Sequence, residues 1–282
     1  MDEPILRYSA ADSTAILIGA EYDRTASFGR GTARGPQAIL DCLEQLELYD
    51  RISDSNPCER WKIGSHVESL NHLEPEAMIA QLEQRYRSFD GRFRLLLGGE
   101  HSVTNAPLRV LASRASEITV VQIDAHADLR PDDSDYNPQP HGEFAHCSVM
   151  RRAYDLGYSL CQVGVRAYSA AEKAMFDDPR IALFEWSAEP ASDETILQSI
   201  KTESIYLSID VDGFDPAVMP ATGTPVPGGL DWYRGVSLIQ ALARRHQIVG
   251  ADIVEVSPRE GDVRTEYNAA QLAYSILGLV AP

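Results

Sequence analysis

The sequence predicts an α/β protein built on a parallel sheet, and three observations carry this prediction. Short runs rich in β-branched and leucine side chains recur along the 282 residues. Amphipathic stretches with helical periodicity follow most of these runs, as the crossovers between parallel strands require. The longest irregular stretches, residues 130–145 and 211–229, directly follow predicted strands, where open parallel sheets bind ligands.

Eight strands are predicted in chain order, each from a short apolar run bounded by turn residues. They cover residues 14–19, 61–63, 92–97, 118–124, 160–165, 181–184, 205–210 and 248–254. Helices are predicted where Pro36 and Pro75 open a first turn and where Ser169 and Asp231 precede an amphipathic run. The expected helices end at Tyr49, Phe89, Asp177 and Arg245, another opens at His146, and a last one covers residues 266–279. No linker or fixed repeat divides the chain, which predicts a single domain over residues 1–282.

Composition and charge narrow the classes of partner. With 44% apolar and 24% charged residues, wholesale disorder is excluded. A formal net charge of −17 repels nucleic acid and anionic membranes and favours cationic ligands, including metal ions. The acidic start at residues 1–4 does not resemble a signal peptide, and no apolar run is long enough to span a bilayer. We therefore expect a cytoplasmic protein with its four scattered cysteines reduced.

Three segments at predicted strand ends carry metal-ligand side chains. Asp124, His126 and Asp128 alternate along an extended segment, so all three point the same way. The carboxylates of Asp210 and Asp212 are spaced in the same manner. A third segment presents His101 after two glycines that permit a tight turn.

The six side chains together predict a binuclear metal site. Oxygen and nitrogen ligands suit hard or borderline ions such as Mn²⁺ better than thiophilic ones. Four carboxylates without metal would repel one another, whereas two divalent cations neutralise them. Two ions that share carboxylates also lower the pKa of a bridging water, so the expected chemistry is metal-assisted hydrolysis.

The three segments resemble the ureohydrolase family of arginases and agmatinases. That family carries Gly-Gly-(Asp/Glu)-His-Ser, Asp-Ala-His-x-Asp and Ser-x-Asp-x-Asp-x-x-Asp-Pro, and this chain has them in that order at residues 98–102, 124–128 and 208–216. Further similar segments are residues 28–36, 221–229 and 255–258. Several independent motifs in one order are far more specific than any lone motif, and they span nearly the whole chain.

The resemblance implies a three-layer α/β/α sandwich around an eight-stranded parallel sheet, with two Mn²⁺ ions per subunit. It also implies a homo-oligomer, a trimer or hexamer in most relatives, with no nucleic-acid or membrane partner. One ion is expected on His101, Asp124, Asp128 and Asp210, and the other on Asp124, His126, Asp210 and Asp212. Asp215 is interpreted as a turn residue before proline, and Glu100 as either a support for the ligand loop or surface charge.

Hydrolysis of a guanidinium also requires a carboxylate that orients the cation and a histidine that delivers a proton to the leaving amine. Glu255, at the end of the last strand, is predicted to be the carboxylate. His146 is the favoured proton shuttle, because its segment is similar to that of bacterial and archaeal agmatinases. His141, in a His-Gly pair similar to that of arginases, stays the alternative.

The substrate is predicted from the segment after residue 128. Asp132 and Asp133 would attract a distal ammonium, which favours agmatine, hydrolysed to putrescine and urea. Arg130 argues the other way, because it can receive the carboxylate of guanidinobutyrate. The rivals to an agmatinase are a guanidinobutyrase, an arginase, a related single-metal deacetylase and a catalytically silent scaffold or regulator that retains the fold.

Overall fold

Eight parallel strands form one sheet in the computed structural model, which describes residues 4–281. The strands are β1 (Ala15–Glu21), β2 (Ile63–Ser69), β3 (Phe93–Gly98), β4 (Ile118–Ile123), β5 (Ser159–Val165), β6 (Ile181–Glu185), β7 (Ser204–Asp210) and β8 (Gln247–Val254). Their order across the sheet is β2-β1-β3-β8-β7-β4-β5-β6. The acidic start at residues 1–3 lies outside the described residues.

Helices connect the strands, as the crossover pattern predicts. They are α1 (Gly35–Leu43), α2 (Pro57–Arg60), α3 (Pro75–Ser88), α4 (Asn105–Leu111), α5 (Val149–Asp155), α6 (Ala170–Lys173), α7 (Asp193–Ser199), α8 (Trp232–Arg245) and α9 (Arg264–Val280). A 3₁₀ turn over His146–Ser148 precedes α5. Within residues 4–281, no helix combines the length and apolar character needed to cross a bilayer.

The layers form because side chains on each strand alternate between two apolar faces. Leu17 of β1 packs in one buried cluster with residues of α1, α8 and α9, whereas its neighbours Ile16 and Ile18 pack with residues of α3. A third cluster joins β4 and β5 to α5. The predicted three-layer α/β/α sandwich is therefore confirmed.

The prediction was wrong for one strand and for several helix limits. β2 runs from Ile63, not to it, because Trp61 ends α2 and donates its indole N–H to the Leu277 carbonyl. As an edge strand, β2 is only partly buried and lacks the apolar run that marks the other strands.

The helix expected to end at Tyr49 stops at Leu43. The helix expected to end at Asp177 stops at Lys173. Helices α2, α4 and α7 were missed, since four to seven residues are too few to show periodicity.

The strand order determines where the chemistry is assembled. β3, β8, β7 and β4 are neighbours at the centre of the sheet. All run in the same direction, so their carboxyl ends meet at one edge. The three metal-ligand segments follow β3, β4 and β7, and Glu255 follows β8. Residues more than 150 positions apart in the chain therefore converge at one place.

Gly99, directly after β3, permits this convergence, and its replacement provides a test. A Cβ at Gly99 would lie 1.9 Å from the Tyr22 carbonyl oxygen. We expect Gly99→Ala to lower the free energy of unfolding by about 3 kcal/mol, because the backbone there must move. Gly91→Ala is the control, since φ is +78° but no atom lies within 4 Å of its Cβ, and about 1 kcal/mol is expected. Equal losses in chemical denaturation would contradict this account.

Candidate metal centre

The first group of predicted ligands surrounds His101. Its Nδ1 atom lies 3.1 Å from Asp124 Oδ2 and 3.1 Å from Asp128 Oδ2. Asp210 Oδ2 is 3.5 Å from the same nitrogen. His101, Asp124 and Asp128 have ligand atoms close enough to hold one metal ion, and we call them the first triad.

The second triad comprises Asp124, His126 and Asp212. His126 Nδ1 lies 3.1 Å from Asp212 Oδ2 and 3.5 Å from Asp124 Oδ1. Asp124 therefore turns one carboxylate oxygen toward each histidine and belongs to both triads. This arrangement matches a bridging ligand between two ions.

The hydrogen bonding of His101 tests whether the donor set suits a cation. Its Nε2 atom lies 2.9 Å from Ser208 Oγ, and that hydroxyl donates to Asp252 Oδ1 at 2.7 Å. Since the Ser208 proton goes to Asp252, Ser208 accepts from His101, and neutral His101 carries its proton on Nε2. Its buried Nδ1 has no hydrogen bond within the described part of the chain, despite three nearby carboxylates. The Nδ1 lone pair of neutral His101 therefore faces carboxylate oxygens, and a metal ion between the nitrogen and these oxygens would suit both.

The same carboxylates shift one another's protonation. Burial, then repulsion from Asp212, raises the pKa of Asp210 well above its ordinary value. Burial and the charge of Asp124 raise the pKa of Asp128 to about 6. Burial lowers the pKa of His101 and His126, but the surrounding carboxylates outweigh it and the net shifts are upward. Without cations the cluster therefore holds protons at neutral pH.

Two residues at the site adopt left-handed backbone conformations. Asp128 has φ of 53° and Glu255 has φ of 65°. Such backbone conformations are unfavourable for residues other than glycine, and they are concentrated at functional sites. At Glu255 the backbone N–H donates to the Gly99 carbonyl at 2.8 Å, which holds the turn after β8.

Glu255 also reaches the metal-ligand loop with its side chain. Its Oε1 atom accepts the backbone N–H of His101 at 2.7 Å, and the residue lines the cavity above both triads. Burial, then the charge of Glu100, raises the pKa of Glu255 well above its ordinary value. Among residues 4–281, no hydrogen bond to the second carboxylate oxygen, Oε2, is present.

His146 lines the cavity, whereas His141 belongs to the adjoining loop. The backbone N–H of His146 donates to Thr25 Oγ1 at 3.1 Å, and its buried Nδ1 has no hydrogen-bond partner among the described residues. Burial, then the charge of His126, lowers the pKa of His146 to about 4. Nδ1 of His141 lies 3.0 Å from Asp133 Oδ2, and the His141 side chain does not line the cavity.

The two aspartates predicted to receive the substrate tail are engaged elsewhere. Asp133 is fully buried and accepts the backbone N–H groups of His141 and Gly142. Asp132 accepts from the backbone and hydroxyl of Ser134. Neither aspartate lines the cavity. Sequence position alone did not reveal this, because the loop folds back on Asp133.

The cavity has a volume of about 400 Å³, and its lining combines metal-ligand side chains with a wall of mixed character. The metal-ligand side chains are His101, His126, Asp128, Asp210 and Asp212. That wall includes Phe28, Arg130, Tyr136, Tyr168 and Glu172. The Ser169-x-x-Glu172 spacing indicates a helix start, and both side chains do cap α6. The spacing does not show that Glu172 also lines the cavity, so this position was missed. Its carboxylate accepts the backbone N–H groups of Leu129 and Ser169.

Arg130 is paired within the wall. Its guanidinium forms an ion pair with Asp135, and its Nε lies 3.6 Å from Glu172 Oε2. The guanidinium also lies 5.2 Å from the centre of the Tyr136 ring. Arg130 is thus less available to bind a substrate carboxylate than its position in the sequence suggests.

The fold and the site together define the class of protein. It is an α/β enzyme whose eight-stranded parallel sheet carries a candidate metal centre at its carboxyl edge. The chain belongs to the arginase family, whose model matches residues 13–278, and it is a ureohydrolase. The N(1)-aminopropylagmatine ureohydrolase of Synechocystis sp. is 35% identical, over 96% of this chain and 90% of that protein. The agmatinase of Pyrococcus horikoshii is 31% identical, over 96% and 93%. The crystal structure of agmatine ureohydrolase of Thermoplasma volcanium has a TM-score of 0.84 and 27% identity, over 98% and 92%.

The raised pKa values of His101 and His126 predict that metal binding displaces protons. Metal must replace bound protons, so affinity rises with pH. For chelator-stripped protein, we expect the apparent Kd for Mn²⁺ to fall about tenfold per pH unit for each displaced proton between pH 6 and 8. Calorimetry in buffers of different ionisation enthalpy counts the released protons. An affinity that stays constant over this range would contradict the prediction.

Proposed function

We propose that this ureohydrolase uses two Mn²⁺ ions to release urea from a linear guanidino amine. The observation that carries the proposal is the pair of triads that share Asp124 beneath a cavity lined by Glu255. Mixed oxygen and nitrogen ligands favour Mn²⁺ over thiophilic metals. The rival deacetylase needs one ion and fewer carboxylates, so two triads argue against it.

The residues above the triads suit the rest of the reaction. When bound, a pair of divalent ions supplies an activated water as nucleophile at neutral pH. The free Glu255 oxygen would accept N–H groups of the planar guanidinium and hold its carbon above the triads. Hydrolysis breaks the bond between that carbon and the alkyl nitrogen, and adds water to give urea and an alkylammonium ion.

His146 would move the proton that the leaving nitrogen needs. Because burial lowers its pKa to about 4, its imidazole is neutral at pH 7 and has a free nitrogen lone pair. Its unpartnered Nδ1 and its place in the cavity wall support transfer from the attacking water to the amine. The position of His141 in the loop supports a structural role.

The wall offers little to an anionic tail. Arg130 is paired with Asp135 and lies 3.6 Å from Glu172, so its charge is not free to hold a substrate carboxylate. This supports agmatine over guanidinobutyrate or arginine. The relatives add a second candidate, N(1)-aminopropylagmatine, the longer amine in the names of four proteins that are 31–35% identical to this chain. A cavity of about 400 Å³ is in the range for ligands of either length.

A substrate panel tests the proposal directly. Urea release is measured with agmatine, N(1)-aminopropylagmatine, guanidinobutyrate and arginine, each with and without Mn²⁺. We expect kcat/KM for the two polycationic amines to exceed that for the other two by at least about tenfold, a difference of about 1.4 kcal/mol, since Arg130 is not free to hold a carboxylate. Preference for arginine or guanidinobutyrate would reject the proposed specificity.

The bridging position of Asp124 predicts a joint loss. We expect Asp124→Ala to reduce bound manganese from two ions per subunit and urea release by more than about 100-fold, because both triads lose a ligand. Metal content by atomic emission and turnover on agmatine are measured together. Asp215→Ala is the control, since Asp215 lies in neither triad and should keep both ions. Full activity of the Asp124 variant would refute the site.

The two histidines are distinguished by parallel variants. We expect His146→Ala to keep its manganese and lose at least about 100-fold in kcat, the usual contribution of a proton shuttle. His141→Ala should lose less than His146→Ala. The reverse order in steady-state kinetics would transfer the shuttle to His141.

Assembly and location remain predictions. We propose a cytoplasmic homo-oligomer, trimer or hexamer, on the family resemblance.

A further inference from the structure

Glu100 has no place in either triad, yet it is completely buried. Its carboxylate accepts three hydrogen bonds, two of them from Thr25. The Thr25 N–H donates at 2.8 Å and the Thr25 hydroxyl at 2.5 Å, while the Ser102 hydroxyl donates at 2.6 Å. The structure therefore decides against surface charge, the second interpretation of Glu100.

The Thr25 hydroxyl has a second partner in the cavity wall. A hydroxyl has one proton, which it gives to Glu100, so it meets any other polar hydrogen as an acceptor. It accepts the backbone N–H of His146 at 3.1 Å. A continuous hydrogen-bonded chain thus runs from the residue before the ligand His101, through Thr25, to the backbone of His146.

The neighbours of these residues are held by other contacts. Asp23 accepts the Gly31 N–H at 2.9 Å and pairs with Asn71, so the loop that contains Thr25 keeps separate anchors. After His146, the Arg151 N–H donates to the Asp128 carbonyl at 3.0 Å. The Thr25 hydroxyl therefore joins Glu100 to the backbone of His146, and its loss should not release the surrounding segments.

We propose that Glu100 and Thr25 are positioning residues that hold His146 at the distance needed for proton transfer. The inference rests on the proposed function of His146 as shuttle. Glu100 fixes the Thr25 hydroxyl, which then presents its acceptor lone pair to the His146 N–H. Because the imidazole has no hydrogen bond at Nδ1, its placement depends on the backbone at its own residue. Small displacements of a reacting group cost a large part of the rate.

The test removes the hydroxyl and keeps the shape. We expect Thr25→Val to lower kcat on the preferred guanidino amine about tenfold, with KM and bound manganese changed less than about twofold. Thr25→Ser, which keeps the hydroxyl, should restore kcat to within about twofold of the wild-type value. Thr32→Val is the matched control, since the buried Thr32 hydroxyl has no hydrogen-bond partner in residues 4–281, and its kcat should equal that of the wild type. Thr25→Ala is measured in parallel and serves if the valine variant does not fold.

A second background separates positioning from general damage. If Thr25 acts through His146, Thr25→Val should have no further effect on kcat in the His146→Ala enzyme, because the group that it positions is gone. Glu100→Leu, which removes both acceptor oxygens, should likewise have no further effect on kcat in the His146→Ala enzyme. Equal loss of kcat with and without His146 would overturn the inference, as would wild-type kcat in Thr25→Val.

The outcomes also separate the inference from the function beneath it. A wild type that releases no urea from any of the four substrates rejects the proposed function, and the inference with it. An active wild type with an unaffected His146→Ala variant rejects the shuttle assignment. An active wild type with an impaired His146→Ala variant and normal Thr25→Val rejects the positioning role alone.

Discussion

Repulsion among buried carboxylates is the constraint on which the candidate metal centre depends. Four aspartates, none more than 5% exposed, lie around two histidines at one edge of the sheet. Burial of ionised carboxylates costs several kcal/mol each unless charge or hydrogen bonds compensate. Backbone N–H groups supply part of the compensation, since Asp124 accepts from His126 at 2.6 Å and Asp212 accepts from Ala125 at 3.0 Å. Divalent cations would supply the remainder, so the same repulsion that weakens the metal-free protein favours metal binding.

The rigid sheet makes this arrangement possible. Central parallel strands deliver the ligand segments to one edge, and strained turns then aim the side chains. Glu255 shows the principle, because it has a left-handed backbone, holds the His101 loop with one carboxylate oxygen and lines the cavity. Glu100 extends this support from the ligand loop to the opposite wall through Thr25. Hydrogen bonds therefore connect the proposed metal ligands, the proposed cation acceptor Glu255 and the proposed shuttle His146.

The sequence revealed most about residues whose role depends on local spacing. Alternation along a strand end was enough to group Asp124, His126 and Asp128, because successive side chains of an extended chain point to opposite faces. It revealed least about residues whose role depends on distant partners. Asp133, predicted to receive the substrate tail, is enclosed by its own loop, and Glu172, which was not predicted, lines the cavity. Edge strand β2 was misplaced because partial burial removes the apolar pattern.

The sequence by itself determined the α/β class, the family and the ligand segments, because each follows from short-range periodicity and motif order. Only the tertiary structure decided which carboxylates face the cavity, that Asp124 belongs to both triads, and that Glu100 is a buried acceptor for Thr25. These features are set by contacts between segments tens of residues apart. Such contacts arise when strands take their order in the sheet, and no local pattern encodes that order.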